Sequence, residues 1–308
     1  MEKTLRFREN GKFTIVQFTD IHWHNGEAAD RRTAALMEQI TTAVQPDLVV
    51  LTGDILSGGG CQDASASMRQ VVRIVEQWRV PWAAVFGNHD DEGNASRREL
   101  MAVMQEGAHS LAQAGPEEIP GVGNYVLTLR KAGGSAPISL LYFIDSGSYA
   151  PPEIGGYGWI KPAQVAWYLR ESARFTAAAG HPLPALAFFH IPLPEYDEVW
   201  DYHTCYGEKH EDVCAPRLNS GFFAAMHEAG DVIGTFVGHD HVNDFCGDLH
   251  GICLCYGRAS GYNTYGRDGF PRGARVIQLR EGERQVETWL HLEDGNIVRE
   301  QPEHRPSQ

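Results

Sequence analysis

No run of about 18 consecutive apolar residues occurs in this chain, and residues 1–10 are charged and polar with no apolar stretch of the secretion-signal kind. These absences exclude a hydrophobic spanning helix and lead us to expect a cytoplasmic protein without a Sec signal. Positive charge is also short. Twenty-six Lys and Arg against 40 Asp and Glu leave a formal net charge of -14, which opposes binding to nucleic acid or anionic lipid in bulk. An anionic substrate would then need a local attractant, and bound cations could provide it. Cysteine is sparse: the six residues at positions 61, 205, 214, 246, 253 and 255 sit mostly inside apparent strands or beside glycine turns. Reduced, partly buried thiols are expected rather than a disulfide framework. Cys253-x-Cys255 lacks zinc spacing, and no second pair accompanies it. No internal repeat, low-complexity block or linker interrupts the 308 residues, whose 43% hydrophobic content is ordinary for a globular protein. One domain spanning residues 1–308 is expected, with a frayed polar tail from about residue 298.

What is present is a series of apolar strands that end in polar, chemistry-bearing residues. Residues 13–19 alternate apolar and polar and end in Asp20-Ile21-His22, whose first and third side chains share a face in an extended chain. Asp30 is the expected N-cap of a helix carrying Leu36, Ile40 and Val44, which Pro46 stops. The apolar strand 47–52 ends in Gly53-Asp54, and strand, helix and strand at this spacing form a βαβ unit with parallel strands. Met68, Val71, Val72, Val75 and Trp78 mark a second helix, and strand 80–86 ends in Gly87-Asn88-His89-Asp90.

A third helix is expected over residues 97–114, followed by a hairpin of strands 125–129 and 138–144. Pro162 opens a helix, and strand 185–189 ends in His190. Residues 192–216 form the longest irregular stretch, of a length usual for a cover over a site or for disorder. A short helix at 222–229 precedes strand 232–237, which ends in Gly238-His239-Asp240-His241, and strands 252–256, 274–279 and 285–292 close the chain. Open α/β sheets build their sites at the carboxyl ends of strands, where these polar groups fall.

Collected together, the strand ends offer carboxylates Asp20 and Asp54, amide Asn88, and imidazoles His22, His190, His239 and His241. Seven N/O donors are too many for one tetrahedral structural zinc and too nitrogen-rich for calcium or magnesium. They suit two transition ions such as Mn, Fe or Zn with a carboxylate bridging. Two ions about 4 Å apart clamp the attacking and leaving oxygens of an in-line displacement at phosphorus and activate a water. The chemistry indicated is phosphoester hydrolysis.

The order Asp20-x-His22, Gly53-Asp54, Gly87-Asn88-His89-Asp90, His190, Gly238-His239-x-His241 resembles the calcineurin-like metallophosphoesterase superfamily, which includes purple acid phosphatases, cyclic-nucleotide phosphodiesterases and Ser/Thr protein phosphatases. The resemblance implies a four-layer αββα sandwich of two mixed β-sheets in the α/β (α+β) class, with a dinuclear site at its edge. It assigns Asp20, His22, Asp54 and His241 to one ion and Asp54, Asn88, His190 and His239 to the other. It makes His89 the general acid, Asp90 the group holding its ring, and metal-bound hydroxide the nucleophile. Asn219-Ser-Gly, the segment from Gly238 to Gly247 and Tyr256-Gly-Arg-Ala-Ser-Gly-Tyr262 look like the purple-acid-phosphatase-related intracellular branch, as does Gly156-Tyr-Gly-Trp-Ile160 with Gln164 and Trp167. Purple acid phosphatases carry a tyrosinate ligand three residues after the bridging aspartate, where this chain has Ser57. No purple charge-transfer band is therefore expected.

A phosphomonoesterase is the first reading, a phosphodiesterase of cyclic nucleotides or glycerophosphodiesters the second, and a non-catalytic interaction module the rival from another class. His24 is either a neighbour of the ligands or substrate, or a surface histidine. Arg258 and Tyr262 of the closing loop are candidate substrate contacts, Arg258 as either a bidentate phosphate grip or a surface ion pair. His203 and His210 belong to the long irregular stretch, solvated or part of a lid, and Asn243 and Asp244 either orient ligands or shape a turn.

Overall fold

The computed structural model describes residues 4–306. Its first half contains strands β1 (Leu5–Arg6), β2 (Lys12–Phe18), β3 (Leu48–Thr52) and β4 (Trp82–Val85), with helices α1 (Ala28–Val44), α2 (Ala64–Gln77) and α3 (Arg97–Gln105). Strands β5 (Tyr125–Arg130), β6 (Pro137–Phe143) and β7 (Ala185–Phe188) follow, with α4 (Pro162–Ala179) between the last two. The second half adds α5 (Glu195–Tyr202), β8 (Cys205–Tyr206), α6 (Phe222–Ala229), β9 (Val232–Val237), β10 (Cys246–Leu249) and β11 (Ile252–Tyr256). The chain finishes with β12 (Gly273–Arg280), β13 (Val286–Leu292), β14 (Ile297–Val298) and β15 (Glu303–His304).

Two mixed sheets result. One runs β14-β13-β12-β2-β3-β4 and the other β1-β5-β6-β7-β9-β11-β10-β8-β15. Strands β2, β3 and β4 are parallel, as are β6, β7, β9 and β11. These strands read as continuous apolar runs because both of their faces are covered. Alternate residues go to different layers. Phe13 and Ile15 of β2, Leu48 and Val50 of β3, and Leu186 and Phe188 of β7 fill the space between the sheets. Val16, Phe18, Val49 and Leu51 face instead the apolar stripes of α1, α2 and α3, among them Leu36, Ile40, Met68 and Leu100. Ala185 and Ala187 back onto Trp167, Tyr168, Phe222 and Met226 of α4 and α6. The architecture is the expected αββα sandwich, and because side chains alternate with period two a one-residue slip would exchange these layers.

Several local expectations are corrected. Helix α1 is capped by Glu27, while Asp30 sits at its third position, its carboxylate accepting the backbone N–H of Gly26 and Glu27 at 2.8 Å each. Helix α3 ends at Gln105, so Leu111 packs from a loop. The stretch 192–216 is irregular only in part: Tyr196 and Val199 of α5 are buried in the core, and β8 pairs with both β10 and β15. As far as residue 306 the tail is not frayed either, because β14 pairs with β13 and β15 with β8; residues 307–308 of the expected tail lie outside the described residues. The two-residue strands were too short for any periodicity to reveal. Cys246 and Cys255, expected as thiols, lie opposite each other on β10 and β11 with Cα atoms 4.2 Å apart and are joined by a disulfide. Cys61, Cys205, Cys214 and Cys253 are free thiols.

Polar ties lock one sheet to the other near the edge where the ligand-bearing strands end. Gln17 on β2 donates from Nε2 to the Val237 carbonyl of β9 at 2.9 Å. Arg275 on β12 is wholly buried and donates to the carbonyls of Tyr256, at 2.5 Å, and Asp244. Arg275→Met would leave both carbonyls without that donor in a dry interior, at about 1–3 kcal/mol each. We expect urea unfolding of R275M to show a loss of about 2–5 kcal/mol, whereas an unchanged midpoint would mean that the tie contributes nothing net.

Candidate metal centre

The groups singled out in the sequence meet at the carboxyl edges of both sheets. Asp20 and His22 follow β2, Asp54 follows β3, Asn88 and His89 follow β4, His190 follows β7, and His239 and His241 follow β9. Four of these residues adopt left-handed backbone conformations: Asp20 (φ +52°), His22 (+49°), Asp54 (+45°) and His239 (+80°). Such a conformation in a non-glycine residue costs on the order of 1–3 kcal/mol and persists only where its surroundings fix it. Here the ends of β2 and β3 hold each other, with His22 N–H donating to the Asp54 carbonyl at 2.8 Å and Asp20 N–H to that of Gly53 at 3.2 Å. Gly53 (φ +87°) permits the approach, since a Cβ there would lie 2.5 Å from His190 Nδ1 and 2.7 Å from the Gly87 nitrogen.

The side chains form two overlapping groups. Asp20, His22, Asp54 and His241 make one and Asp54, His190 and His239 the other, the donor atoms of each lying within 4.8 Å of one another. Asp54 belongs to both: its Oδ2 lies 3.2 Å from His190 Nε2 and 3.7 Å from His22 Nε2. His22 Nε2 and His241 Nε2 are 3.2 Å apart, and His239 Nδ1 and His190 Nε2 3.3 Å. All seven ligand candidates are buried.

A surrounding layer fixes how three of the rings face the centre. His22 Nδ1 meets Ser57 Oγ at 2.8 Å, His190 Nδ1 the Thr52 carbonyl at 2.8 Å, and His241 Nδ1 Thr264 Oγ1 at 2.7 Å. Each ring thereby turns Nε2 inward, as metal-ligating histidines do. Tyr265 stacks on His241 with ring centroids 4.1 Å apart, and Tyr157 stands edge-on to His239 at 4.2 Å. Asn88 Nδ2 donates to the Tyr149 hydroxyl at 3.1 Å, which leaves its Oδ1 as the group's open acceptor.

This donor set fits a pair of transition ions. Asp20 Oδ2, Asn88 Oδ1 and His239 Nε2 are buried without a hydrogen-bond partner, a costly arrangement unless a cation satisfies them. Burial holds His22 down at about 4, and burial together with the neighbouring His190 holds His239 at about 3, so both stay neutral as ligation requires. Burial would raise Asp20, but His241 beside it brings its carboxyl down to about 2. For His190 burial is outweighed by Asp54, and its value rises to about 9.

Other sequence candidates lie elsewhere. Asp90 does not hold the His89 ring: its oxygens accept the backbone N–H of Leu56 at 2.8 Å and Gly87 at 2.7 Å, and the His89 partner is Glu92, with Nδ1 to Oε2 2.7 Å. Arg258 is buried, paired with Asp244, bonded to the Pro271 carbonyl and seated over Phe270, which removes it from any phosphate grip. Tyr262 donates its hydroxyl to Glu293 and lies under Arg32. His24 stands 3.8 Å from Glu27. Asn243 accepts the backbone N–H groups of His210 and Glu211 and so shapes a loop, and His210 pairs with Glu208 at 2.7 Å. Sequence reasoning missed Glu92, Tyr149, Thr264 and Tyr265, which lie outside the motifs, and gave no role to Tyr157, which lies within Gly156-Tyr-Gly-Trp-Ile160. Ser57 carried a signal as the position that departs from the tyrosinate pattern.

Metal loading is expected to expel a proton. In the metal-free chain the His190–Asp54 pair holds one: its stabilisation is complete below the ordinary imidazole value of about 6.5 and is lost as pH rises through about 9. Calorimetric titration with Mn or Zn at pH 7.5 in buffers of different ionisation enthalpy should register proton release, and Asp54→Ala should abolish retention of two ions. Buffer-independent heats, or an Asp54→Ala variant that keeps both ions, would contradict this arrangement.

Comparison with known proteins agrees with the geometry. A model of the family described as calcineurin-like phosphoesterase matches residues 13–243. The chain is 37% identical to "Probable inactive purple acid phosphatase 29" of Arabidopsis thaliana, over 96% of this chain and 86% of that protein. It is 33% identical to "Phosphatase DCR2" of Saccharomyces cerevisiae, over 94% of this chain and 55% of that longer protein. In fold it is similar to a dimetal phosphatase from Danio rerio, with a TM-score of 0.63, 16% identity and coverage of 96% of this chain and 99% of that one. The family match over residues 13–243 and the 37% identity over nearly the whole chain show that the chain belongs to the calcineurin-like phosphoesterases, among the relatives of purple acid phosphatases.

Proposed function

We propose that this protein is a dinuclear metal-dependent phosphomonoesterase. The observation that carries the reading is the pair of ligand groups sharing Asp54, with the His89 imidazole beside them. Asp20, His22, Asp54 and His241 would hold one ion, and Asp54, Asn88, His190 and His239 the other. When bound, such ions supply positive charge to the phosphoryl oxygens and an activated water, and Mn, Fe and Zn all suit the donors.

The remaining work falls to the chain's own groups. His89 is anchored by its backbone N–H, which donates to Asp54 Oδ1 at 2.8 Å, and its ring centroid is 5.3 Å from that of His22. Its side chain is 37% exposed, unlike those of the buried ligands, so it can meet substrate entering from solvent and give a proton to the leaving oxygen. Tyr157 and Tyr265 cover His239 and His241 and limit water on that side. Residues 207–216 close on the same flank. Glu211 accepts the Tyr265 hydroxyl and the Val242 N–H at 2.8 Å each, which supports small esters over folded phosphoproteins. Three relatives from Arabidopsis thaliana are named "Probable inactive purple acid phosphatase" 29, 14 and 28; in this chain all seven donor residues are present, and the six carboxylates and imidazoles lie close together.

Elemental analysis should find about two transition ions per chain, and chelation should abolish hydrolysis of p-nitrophenyl phosphate, with Mn, Fe or Zn restoring it. A preference for the bis(p-nitrophenyl) ester would replace the monoesterase reading with a diesterase. Neither metal nor hydrolysis after reconstitution would leave an interaction module. His89→Ala should lower kcat by about 10²–10⁴-fold with metal content retained, and a wild-type rate in that variant would remove His89 from the chemistry.

A further inference from the structure

The proton donor sits at one end of a chain of hydrogen bonds that reaches back to a ligand of the metal centre. His89 Nδ1 meets Glu92 Oε2 at 2.7 Å. The other oxygen of that carboxylate accepts the Tyr149 hydroxyl proton at 2.6 Å, and the same hydroxyl accepts from Asn88 Nδ2 at 3.1 Å. Ser148 donates to the Asn88 carbonyl at 3.1 Å, and the Tyr149 ring stands edge-on to His89 at 6.4 Å. Asp90 is unavailable for this task, because it is wholly buried and both of its oxygens are engaged by backbone N–H groups.

We propose that Glu92 and Tyr149 are positioning residues that hold His89 as a proton donor, fitting the site to alkyl phosphomonoesters. The proposal rests on the phosphoesterase reading above. An aryl oxide with electron-withdrawing groups leaves phosphorus unaided, whereas an alkoxide must be protonated as it departs. With Nδ1 donating to Glu92, Nε2 lies on the opposite side of the ring and carries the proton to be given. As the P–O bond breaks, that proton passes to the bridging oxygen and the alcohol leaves neutral. Water supplies the new oxygen on phosphorus, and the proton it loses restores the imidazolium. Glu92 stabilises the charged ring, and Tyr149 fixes the carboxylate while engaging the amide nitrogen of Asn88, whose buried oxygen stays open to a cation. One hydroxyl therefore sets both a metal ligand and the orientation of the acid.

The test compares Glu92→Gln, Glu92→Ala, Tyr149→Phe and His89→Ala with the parent enzyme on β-glycerophosphate and 2,4-dinitrophenyl phosphate, each protein assayed for metal content. The Glu92 variants should lose at least about ten-fold more kcat on the alkyl ester than on the dinitrophenyl ester, and Tyr149→Phe should lose less in the same sense. In protein labelled with ¹⁵N-histidine, a downfield imidazole N–H resonance that is missing in His89→Ala should also be missing in the Glu92 variants. Equal losses on the two esters, or persistence of that resonance in both Glu92 variants, overturns the assignment. Parent enzyme inactive on both esters would instead defeat the underlying phosphoesterase reading. If His89→Ala discriminates between the esters while the Glu92 variants do not, only the role of Glu92 and Tyr149 fails.

Discussion

Asp54 lies where the carboxyl edges of two sheets meet, and its carboxylate is shared between two groups of buried candidate ligands. Removing a carboxylate from water is expensive unless positive charge compensates. The imidazoles of His190 and His22 approach it at 3.2 and 3.7 Å, and together with the unpartnered atoms around it they define a place for cations. The rest of the molecule can be understood as support for that point. Parallel strands deliver ligands to one edge, glycines let their ends approach, and backbone bonds between the ends of β2 and β3 hold left-handed residues that would otherwise relax.

That support is stored in the sandwich. Three apolar layers fix the register of the strands, so a ligand at a strand end inherits its position from packing many residues away. Gln17 and Arg275 tie the sheets where they must stay in fixed relation, for ligands come from β2, β3 and β4 in one sheet and from β7 and β9 in the other. Strain of on the order of 1–3 kcal/mol at each of several ligand residues is tolerated because this framework over-determines their conformation. Ser57 and Thr264 then settle the last degree of freedom, ring rotation, through the outer nitrogens of His22 and His241.

The surface of the site reflects a different balance. The arginines near it are spent internally: Arg97 on Asp145 and Asp91, Arg258 on Asp244, and Arg272 on the carbonyls of Thr264 and Tyr265. Under the proposed function, attraction of an anionic ester by a chain with net charge -14 would therefore fall to ions bound at the centre. Around the mouth stand tyrosines and carboxylates, of which Glu92 reaches the one exposed imidazole of the motif cluster.

The sequence by itself determined the parallel β2–β3–β4 core, the hairpin of β5 and β6 and the seven ligand candidates. Apolar periodicity and strand-end punctuation are local properties that the chain carries in one dimension. Which carboxylate faces His89 was not local: Asp90 and Glu92 both follow it, and only the approach of Gly87 and Leu56 N–H groups to Asp90, and of Tyr149 to Glu92, decided between them. Arg258 and Tyr262 looked available because sequence does not reveal that Asp244 and Glu293 claim them. The ordered tail depends on two-residue strands too short to show a period, paired with partners far away in the chain, and the Cys246–Cys255 disulfide depends on the register in which β10 folds back on β11. Sequence names the groups capable of chemistry; tertiary structure assigns their partners, because a hydrogen bond is decided by distances of a few tenths of an ångström between residues far apart along the chain.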